Sequence, residues 1–103
     1  MLVLPTKKKW FDMILSGEKK EEYRDVKPYY DSRLNKFCHI STRNVMENYI
    51  PNNTFEVIFR NGYSKSSPSI KCLCSCWYGE GKVEWGAEPN KEYYILRILD
   101  VKE

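Results

Sequence analysis

The chain has 103 residues, enough for one domain with its own core, and its 42% hydrophobic and 15% aromatic content excludes an intrinsically disordered protein. Its net charge of +3, from 17 Lys and Arg against 14 Asp and Glu, permits an anionic partner without requiring one. The sequence has neither a signal-peptide pattern nor about 20 consecutive apolar residues, so we expect a cytoplasmic protein with reduced cysteines and no membrane association.

The first half of the chain predicts alternating strands and helices. Thr6 can cap the first helix, Gly17 ends it, and Pro28 suits the first turn of the second helix. The predicted spans, in chain order, are residues 2–5 (strand), 7–16 (helix), 19–25 (strand) and 28–36 (helix). The apolar side chains at helical spacing are Trp10, Phe11, Ile14 and Leu15 in the first helix, and Tyr30, Leu34 and Phe37 in the second.

Residues 38–53 have the weakest pattern. Val45, Met46, Tyr49 and Ile50 have helical spacing, and Asn44 with Glu47 resembles a capping box. The asparagines around Pro51 instead favour a long, partly irregular connection, so both interpretations stay open.

The second half of the chain predicts strands. Apolar and polar residues alternate over 55–60, and Asn61-Gly62 is a strong hairpin signal. Further strands are predicted over 69–77 and 92–101, with a turn at Gly79-Glu80-Gly81. The pattern predicts an α+β fold in which about five or six strands make a small closed or nearly closed barrel, with two or three helices packed at its side.

The segment GEKKEEYRD, residues 17–25, has seven formally charged residues in nine. A strand there has no apolar face, because its side chains alternate between two charged sets: Lys20, Glu22 and Arg24 on one face, and Lys19, Glu21, Tyr23 and Asp25 on the other. A strand between two helices of a small domain is not expected to be fully exposed. Some of these charges should therefore line a cleft, paired with one another. The alternative is a solvated edge strand whose charges prevent aggregation.

Three lysines, Lys7, Lys8 and Lys9, lie in the first turn of the first predicted helix, where the helix dipole favours acidic residues. Free N–H groups at a helix N-terminus bind anions, and three ammonium groups would strengthen a phosphate site there. The alternative is a run that only increases solubility.

Two segments resemble ASCH domains. LPTKKKWFDMILSGEKKEEYR is similar to their N-terminal signature, a strand, a helix and the pattern G-x-K-x-x-E-x-R, here Gly17, Lys19, Glu22 and Arg24. Residues 84–98, EWGAEPNKEYYILRI, resemble the C-terminal part of small phage- and bacterium-type members. The resemblance implies a single ASCH domain over residues 1–103, with a PUA-like β-barrel and a cleft that holds the Lys/Glu/Arg set.

The resemblance also implies a nucleic-acid- or nucleotide-binding protein, directed at RNA, since PUA-like relatives bind RNA or modified bases. Some ASCH proteins are ribonucleases and some are amidohydrolases acting on acetylated cytidine. The amidohydrolases place a Thr where Glu22 stands here, which argues against that activity. A second class of function is a non-catalytic module that captures a modified nucleotide or a protein, for example in phage–host conflict.

Lys19, Glu22 and Arg24 are the candidate catalytic residues for metal-independent RNA cleavage. A lysine beside other cations can serve as base or nucleophile, Glu22 can be a general base, and Arg24 can clamp phosphate or stabilise an oxyanion. We expect no metal and no cofactor. On a strand, Cys74 lies about 6.6 Å from Cys72 and from Cys76 on one face, whereas paired zinc ligands normally have a turn of two to four residues between them, so we expect the three cysteines to form an inward face with Ile70.

Aromatic residues interleave with cations along the chain, and bases stack on exposed aromatic rings. Trp85 and Glu88, which flank Gly86-Ala87 in a predicted loop, are the best candidates for base contact. His39 is the only histidine, so a mechanism with paired histidines is excluded. The residues predicted to bind nucleic acid are Lys7, Lys8, Lys9, Lys20, Tyr23, Trp85 and Glu88.

Overall fold

The computed structural model describes residues 2–39 and 54–102. The patterns noted within residues 40–53, including the capping box, lie outside the described residues. The described elements, in chain order, are β1 (Leu2–Pro5), α1 (Lys8–Leu15), β2 (Glu21–Asp25), α2 (Pro28–Leu34), a 3-10 turn (Asn35–Phe37), β3 (Cys38–His39), β4 (Phe55–Arg60), β5 (Ser69–Glu80), a second 3-10 turn (Val83–Trp85) and β6 (Glu92–Lys102).

The strands form one curled sheet. Its hydrogen-bonded path runs β1-β4-β5-β6-β2, and the two-residue β3 pairs with the C-terminal half of β5. β1 lies parallel to β4, and the pairs β4–β5, β5–β6 and β6–β2 are antiparallel. The predicted α+β fold with a barrel-like sheet and helices at its side is confirmed. The sheet is a half-barrel, with β1 and β2 at the two ends of the path.

β5 is longer than predicted. It continues through Glu80, so the predicted turn at residues 79–81 is wrong. Gly79 stays paired with β6, and a Cβ at this position would lie 3.3 Å from Cδ1 of Ile95. The glycine therefore leaves room for that side chain against the strand rather than ending the strand.

The core lies inside the curl. The predicted inward face of β5 is confirmed, because Cys72, Cys74 and Cys76 are fully buried and Ile70 is 7% exposed. From the helices, Phe11, Ile14 and Leu34 pack against this face. Two residues of the predicted apolar stripe of α1 lie outside the core, since Trp10 is half-buried and Leu15 is exposed.

A second apolar cluster covers the other face of β5 and β6. It consists of Trp77, Ala87, Tyr93 and Ile95, all buried. Adjacent residues of a strand point to opposite faces, so the middle of β5 and β6 is buried on both. The cluster holds the connection between β5 and β6 against the sheet, beside β2. In the described ranges, no helix combines the length and apolar character needed to cross a membrane.

Candidate functional site

The turn after α1 places Lys19 beside the charged strand. Gly17 adopts a left-handed φ of 84°, and the amide of Lys19 donates to the carbonyl of Met13 at 2.9 Å. β2 begins only at Glu21, two residues later than predicted, so Lys19 does not follow the alternation of the strand. The side chain of Lys19 lies on the same side of the sheet as Glu22. Strict alternation along a strand would have placed these two side chains on opposite faces.

Lys19, Glu22 and Arg24 form a buried ion triad. Lys19 Nζ donates to Glu22 Oε2, and Arg24 Nη1 donates to Glu22 Oε1 at 2.6 Å. The three side chains are 1%, 4% and 11% exposed, respectively. An unpaired charge is costly to bury, so Glu22 is the counter-charge that allows both cations to lie this far from water.

Lys19 is held by a carboxylate and two aromatic rings. Its Nζ lies 5.2 Å from the ring centroid of Trp10 and 5.3 Å from that of Tyr23. Burial lowers the pKa of Lys19, while the charge of Glu22 and its hydrogen bond oppose that shift. Lys19 therefore loses its proton more easily than a lysine in water does.

Arg24 connects the two end strands of the sheet. Its Nη2 donates to the carbonyl of Pro5 at 2.9 Å and to Thr6 Oγ1 at 3.3 Å, while Nη1 also donates to the carbonyl of Tyr23 at 3.1 Å. Thr6 was predicted to cap α1, but the N-cap is Lys7, without a side-chain cap. The Thr6 hydroxyl instead donates to the carbonyl of Leu4 at 3.1 Å, and Arg24 donates to it.

A cleft of about 260 Å³ opens above the ion triad, and we call it the charged cleft. Five of its twelve described lining residues are aromatic. Its lining residues are Pro5, Thr6, Lys7, Trp10, Lys19, Glu22, Tyr23, Arg24, Tyr30, Trp85, Gly86 and Tyr93. Charged strand β2 thus lines a cleft with its charges paired, the first of the two arrangements considered for this segment.

The connection after β5 is fitted closely against α1 and β2. Gly86 has a φ of 101°, and a Cβ on it would lie 2.9 Å from Cζ2 of Trp10, so only glycine allows this approach. Tyr23 secures the same connection, because its hydroxyl accepts from the amide of Lys82 at 2.9 Å and donates to Glu21 Oε1 at 2.8 Å. The walls of the charged cleft are therefore set by side-chain contacts between three elements.

The charged cleft brings together six of the ten predicted site residues. They are Lys7, Lys19, Glu22, Tyr23, Arg24 and Trp85. The other four lie outside its lining. Lys8 pairs with Asp12 at 2.6 Å, Lys9 lies over the Trp10 ring at 4.6 Å, Lys20 is exposed, and the exposed Glu88 lies 3.8 Å from Lys91.

Sequence reasoning missed several lining residues. Trp10 and Tyr30 were assigned to apolar stripes, but both are half-buried and face the cleft. Tyr93 belongs to a predicted strand and was not singled out. One sequence signal was available for Trp10, because a tryptophan at the start of a helix and directly after three lysines is a poor candidate for the core.

Cys72, Cys74 and Cys76 lie on the core face of β5 and do not line the charged cleft. Burial raises the pKa of the Cys72 thiol to about 11 and also raises the pKa of Cys74. Raised thiol pKa values make these side chains poor nucleophiles and poor metal ligands at neutral pH. Among residues 2–39 and 54–102, no three His, Cys, Asp or Glu side chains cluster as a metal site.

No family model, curated protein or solved structure matches the chain. The resemblance of the two segments to ASCH domains therefore stays a prediction. A function has to be inferred from the charged cleft itself.

Proposed function

We propose that this protein binds RNA or a nucleotide by taking one nucleobase into the charged cleft. The observation that supports this most directly is a paired set of buried charges beneath a wall of aromatic rings. Aromatic rings stack on the faces of bases, whereas charged groups at the end of a cleft can bond to their edges.

The size of the cleft suits one base. Pockets for drug-sized ligands have volumes of about 300–1,000 Å³. The charged cleft, at about 260 Å³, lies just below that range. A single base or nucleoside is therefore a better match than a larger ligand. The rest of an RNA strand would have to continue outside the cleft.

The ion triad retains capacity to bond a base edge. An ionised carboxylate has about four lone-pair sites, and Glu22 uses one on each oxygen for Lys19 and Arg24. Glu22 can therefore still accept from an exocyclic amino group, and Lys19 can donate to a carbonyl or ring nitrogen. Arg24 already donates four hydrogen bonds to the protein, so we expect it to position Glu22.

Lys7 is the cation placed to meet a phosphate. It is exposed, lines the mouth of the charged cleft and is the N-cap of α1, whose first turn contains no acidic residue. The free N–H groups of that turn and the lysine charge would act together on an anion. Of Lys7, Lys8 and Lys9, only Lys7 lines the charged cleft, so we expect it alone to contact a phosphate.

Metal-independent RNA cleavage is a second candidate, favoured by the lowered pKa of Lys19. Its neutral amine would accept the proton of a 2′-hydroxyl, whose oxygen bonds to the adjacent phosphorus while the bond from that phosphorus to the 5′-oxygen breaks and the 5′-oxygen takes a proton from water. Non-catalytic capture is the alternative, since both oxygens of Glu22 and the amine of Lys19 are already engaged in the triad.

Fluorescence titration tests the proposal, because Trp10 and Trp85 line the cleft and report occupancy. The four ribonucleoside 5′-monophosphates and short single-stranded RNAs are added at low salt to the parent, Trp85→Ala and Val83→Ala. Val83→Ala is the matched control, since Val83 is exposed in the same 3-10 turn and does not line the cleft. We expect Trp85→Ala to weaken binding about 5- to 150-fold and the control to bind like the parent.

A cleavage assay on the parent and on Lys19→Met separates the two candidates. Turnover in the parent that falls about 10²–10⁴-fold in Lys19→Met supports cleavage by the triad. Binding without turnover supports capture. If neither nucleotides nor RNA bind at low salt, the proposal is wrong, and a protein partner becomes the leading alternative.

A further inference from the structure

A second groove lies directly beside the charged cleft. It has a volume of about 590 Å³, and four residues line both: Pro5, Thr6, Lys7 and Tyr30. Its remaining lining comes from the start of α2 and from the β4–β5 connection: Lys27, Tyr29, Asn61, Gly62 and Tyr63. We call it the tyrosine groove. The shared residues place the two sites side by side, with the exposed Lys7 lining both.

Tyr63 is presented to solvent by an internally hydrogen-bonded connection. The connection covers residues 61–68, where the amide of Asn61 donates to the carbonyl of Pro68 at 2.8 Å. Gly62 has a φ of 129°, and a Cβ there would lie 2.4 Å from Ser67 Oγ, so glycine is required. The Tyr63 side chain is nevertheless 90% exposed. A large aromatic ring exposed at the edge of a groove is available to stack on a base.

Tyr29 is a second exposed ring in the tyrosine groove. It is 49% exposed, and the guanidinium of Arg33 lies 3.7 Å from its ring centroid. Arg33 Nη1 also donates to the carbonyl of Tyr29 at 2.7 Å, and Tyr30 contacts the ring edge-on at a centroid distance of 4.9 Å. These contacts hold the Tyr29 ring in one orientation, which lowers the entropic cost of stacking a ligand on it.

The charge of the tyrosine groove is of one sign. Lys7 and Lys27 line it, and no acidic side chain does so within the described part of the chain. Exposed rings together with cations, without acids, match the backbone and bases of a single nucleic-acid strand. A protein partner would match the rings but would need acidic side chains to match the lysines.

We propose that the charged cleft and the tyrosine groove form one continuous track for a single-stranded oligonucleotide of at least two nucleotides. One base enters the charged cleft, the linking phosphate passes Lys7, and the next base stacks in the tyrosine groove near Tyr29 and Tyr63. The track rests on the proposed function, since it assumes a nucleotide in the charged cleft. It makes a short strand, rather than a free nucleoside, the preferred ligand.

The test compares ligands of different length on the same protein. The probes are the four ribonucleoside 5′-monophosphates, mixed-sequence ribonucleotide trimers, and deoxyribonucleotide trimers of the same sequence. We expect trimers to bind about 5- to 150-fold more tightly than monophosphates, the range associated with stacking one further base. The ribose and deoxyribose arms show which kind of strand the track prefers.

Two pairs of variants locate that gain. Tyr63→Ala should remove most of the advantage of the trimer, whereas Tyr63→Phe keeps the ring and should retain it. Lys27→Gln should weaken trimer binding and make the negative slope of log K against log salt concentration shallower by about 0.7. Lys36 lines neither groove, so Lys36→Gln should have neither effect. All four variants should bind monophosphates like the parent.

Three results would contradict the track, and they differ in what they leave standing. If monophosphates bind but trimers bind no more tightly, the track is wrong and the proposed function stands. The same holds if the trimer advantage survives in both Tyr63→Ala and Lys27→Gln. If no probe binds the parent, the track and the proposed function both fail.

Discussion

Arg24 of β2 donates a hydrogen bond to the carbonyl of Pro5, the last residue of β1, at 2.9 Å. These strands are the two ends of the hydrogen-bonded path of the sheet. A side chain thus joins the ends of the half-barrel where strand pairing does not. Because the same guanidinium also pairs with Glu22, the link between the strands and the floor of the charged cleft depend on one residue.

Arg24→Met should destabilise the protein strongly. The change leaves Glu22 buried with Lys19 alone and removes the donor from Pro5 and Thr6. Removing one partner of a buried ion pair typically costs about 3–5 kcal/mol. Urea unfolding measures the free energy, with Lys8→Met as control, since the Lys8–Asp12 pair is exposed and worth less than about 1 kcal/mol. Equal effects of the two substitutions would contradict the role given to Arg24.

Glu22→Gln should make stability depend more strongly on pH between neutral and alkaline conditions. Burial lowers the pKa of Lys19, and Glu22 opposes that shift, so the substitution lowers the pKa of Lys19 further. The unfolded chain then binds more protons than the folded one over a wider pH range, which extends from the lowered pKa of Lys19 in the folded state up to the ordinary lysine pKa. Unfolding free energy consequently rises with pH across that range, more in the variant than in the parent.

Urea unfolding at several pH values from 7 to 10 checks this expectation. The stability difference between the parent and Glu22→Gln should shrink as pH rises, because the variant's Lys19 loses its proton first. The control is the double variant Glu22→Gln, Lys19→Met, which has no lysine to titrate and should lack the additional rise. A difference that stays constant with pH would show that Lys19 keeps its charge throughout.

Lys7→Gln should weaken RNA binding through its electrostatic component. One lost contact with a phosphate of a single strand makes the negative slope of log K against log salt concentration shallower by about 0.7. Lys8→Gln makes the same change of charge at the next residue, but Lys8 pairs with Asp12 and lies outside the cleft lining. Titration of a labelled RNA at several salt concentrations measures both slopes. Equal losses in the two variants would point to a diffuse charge effect rather than a contact at Lys7.

Alkylation should distinguish the cysteines. Cys38 is half-buried, whereas Cys72, Cys74 and Cys76 are fully buried, and burial raises the pKa of Cys72 to about 11. Iodoacetamide at pH 8 should therefore modify Cys38 first and reach the other three only when the protein unfolds. Mass spectrometry of peptides from native and urea-treated samples measures this order. Early labelling of Cys74, or one zinc per chain that is lost in Cys74→Ser, would contradict their place in the core.

Most elements could be predicted because their signals are local. Apolar alternation in residues 55–60 predicts β4, and helical spacing predicts the buried Phe11 and Ile14. The charged pattern of residues 19–24 likewise places Lys19, Glu22 and Arg24 within a few residues of each other. A turn at Gly17 was enough to bring them to one side.

What the sequence alone determined is therefore both helices, most of the strands, the inward face of β5 and the charged strand that needs a cleft. The walls of that cleft were decided by the tertiary structure, because Trp10, Tyr30 and Trp85 come from segments far apart in the chain. Their meeting depends on the order β1-β4-β5-β6-β2, which places the first and second strands at opposite ends of one curled sheet. Local propensity contains no information on that order, since it results from which apolar faces can be buried together.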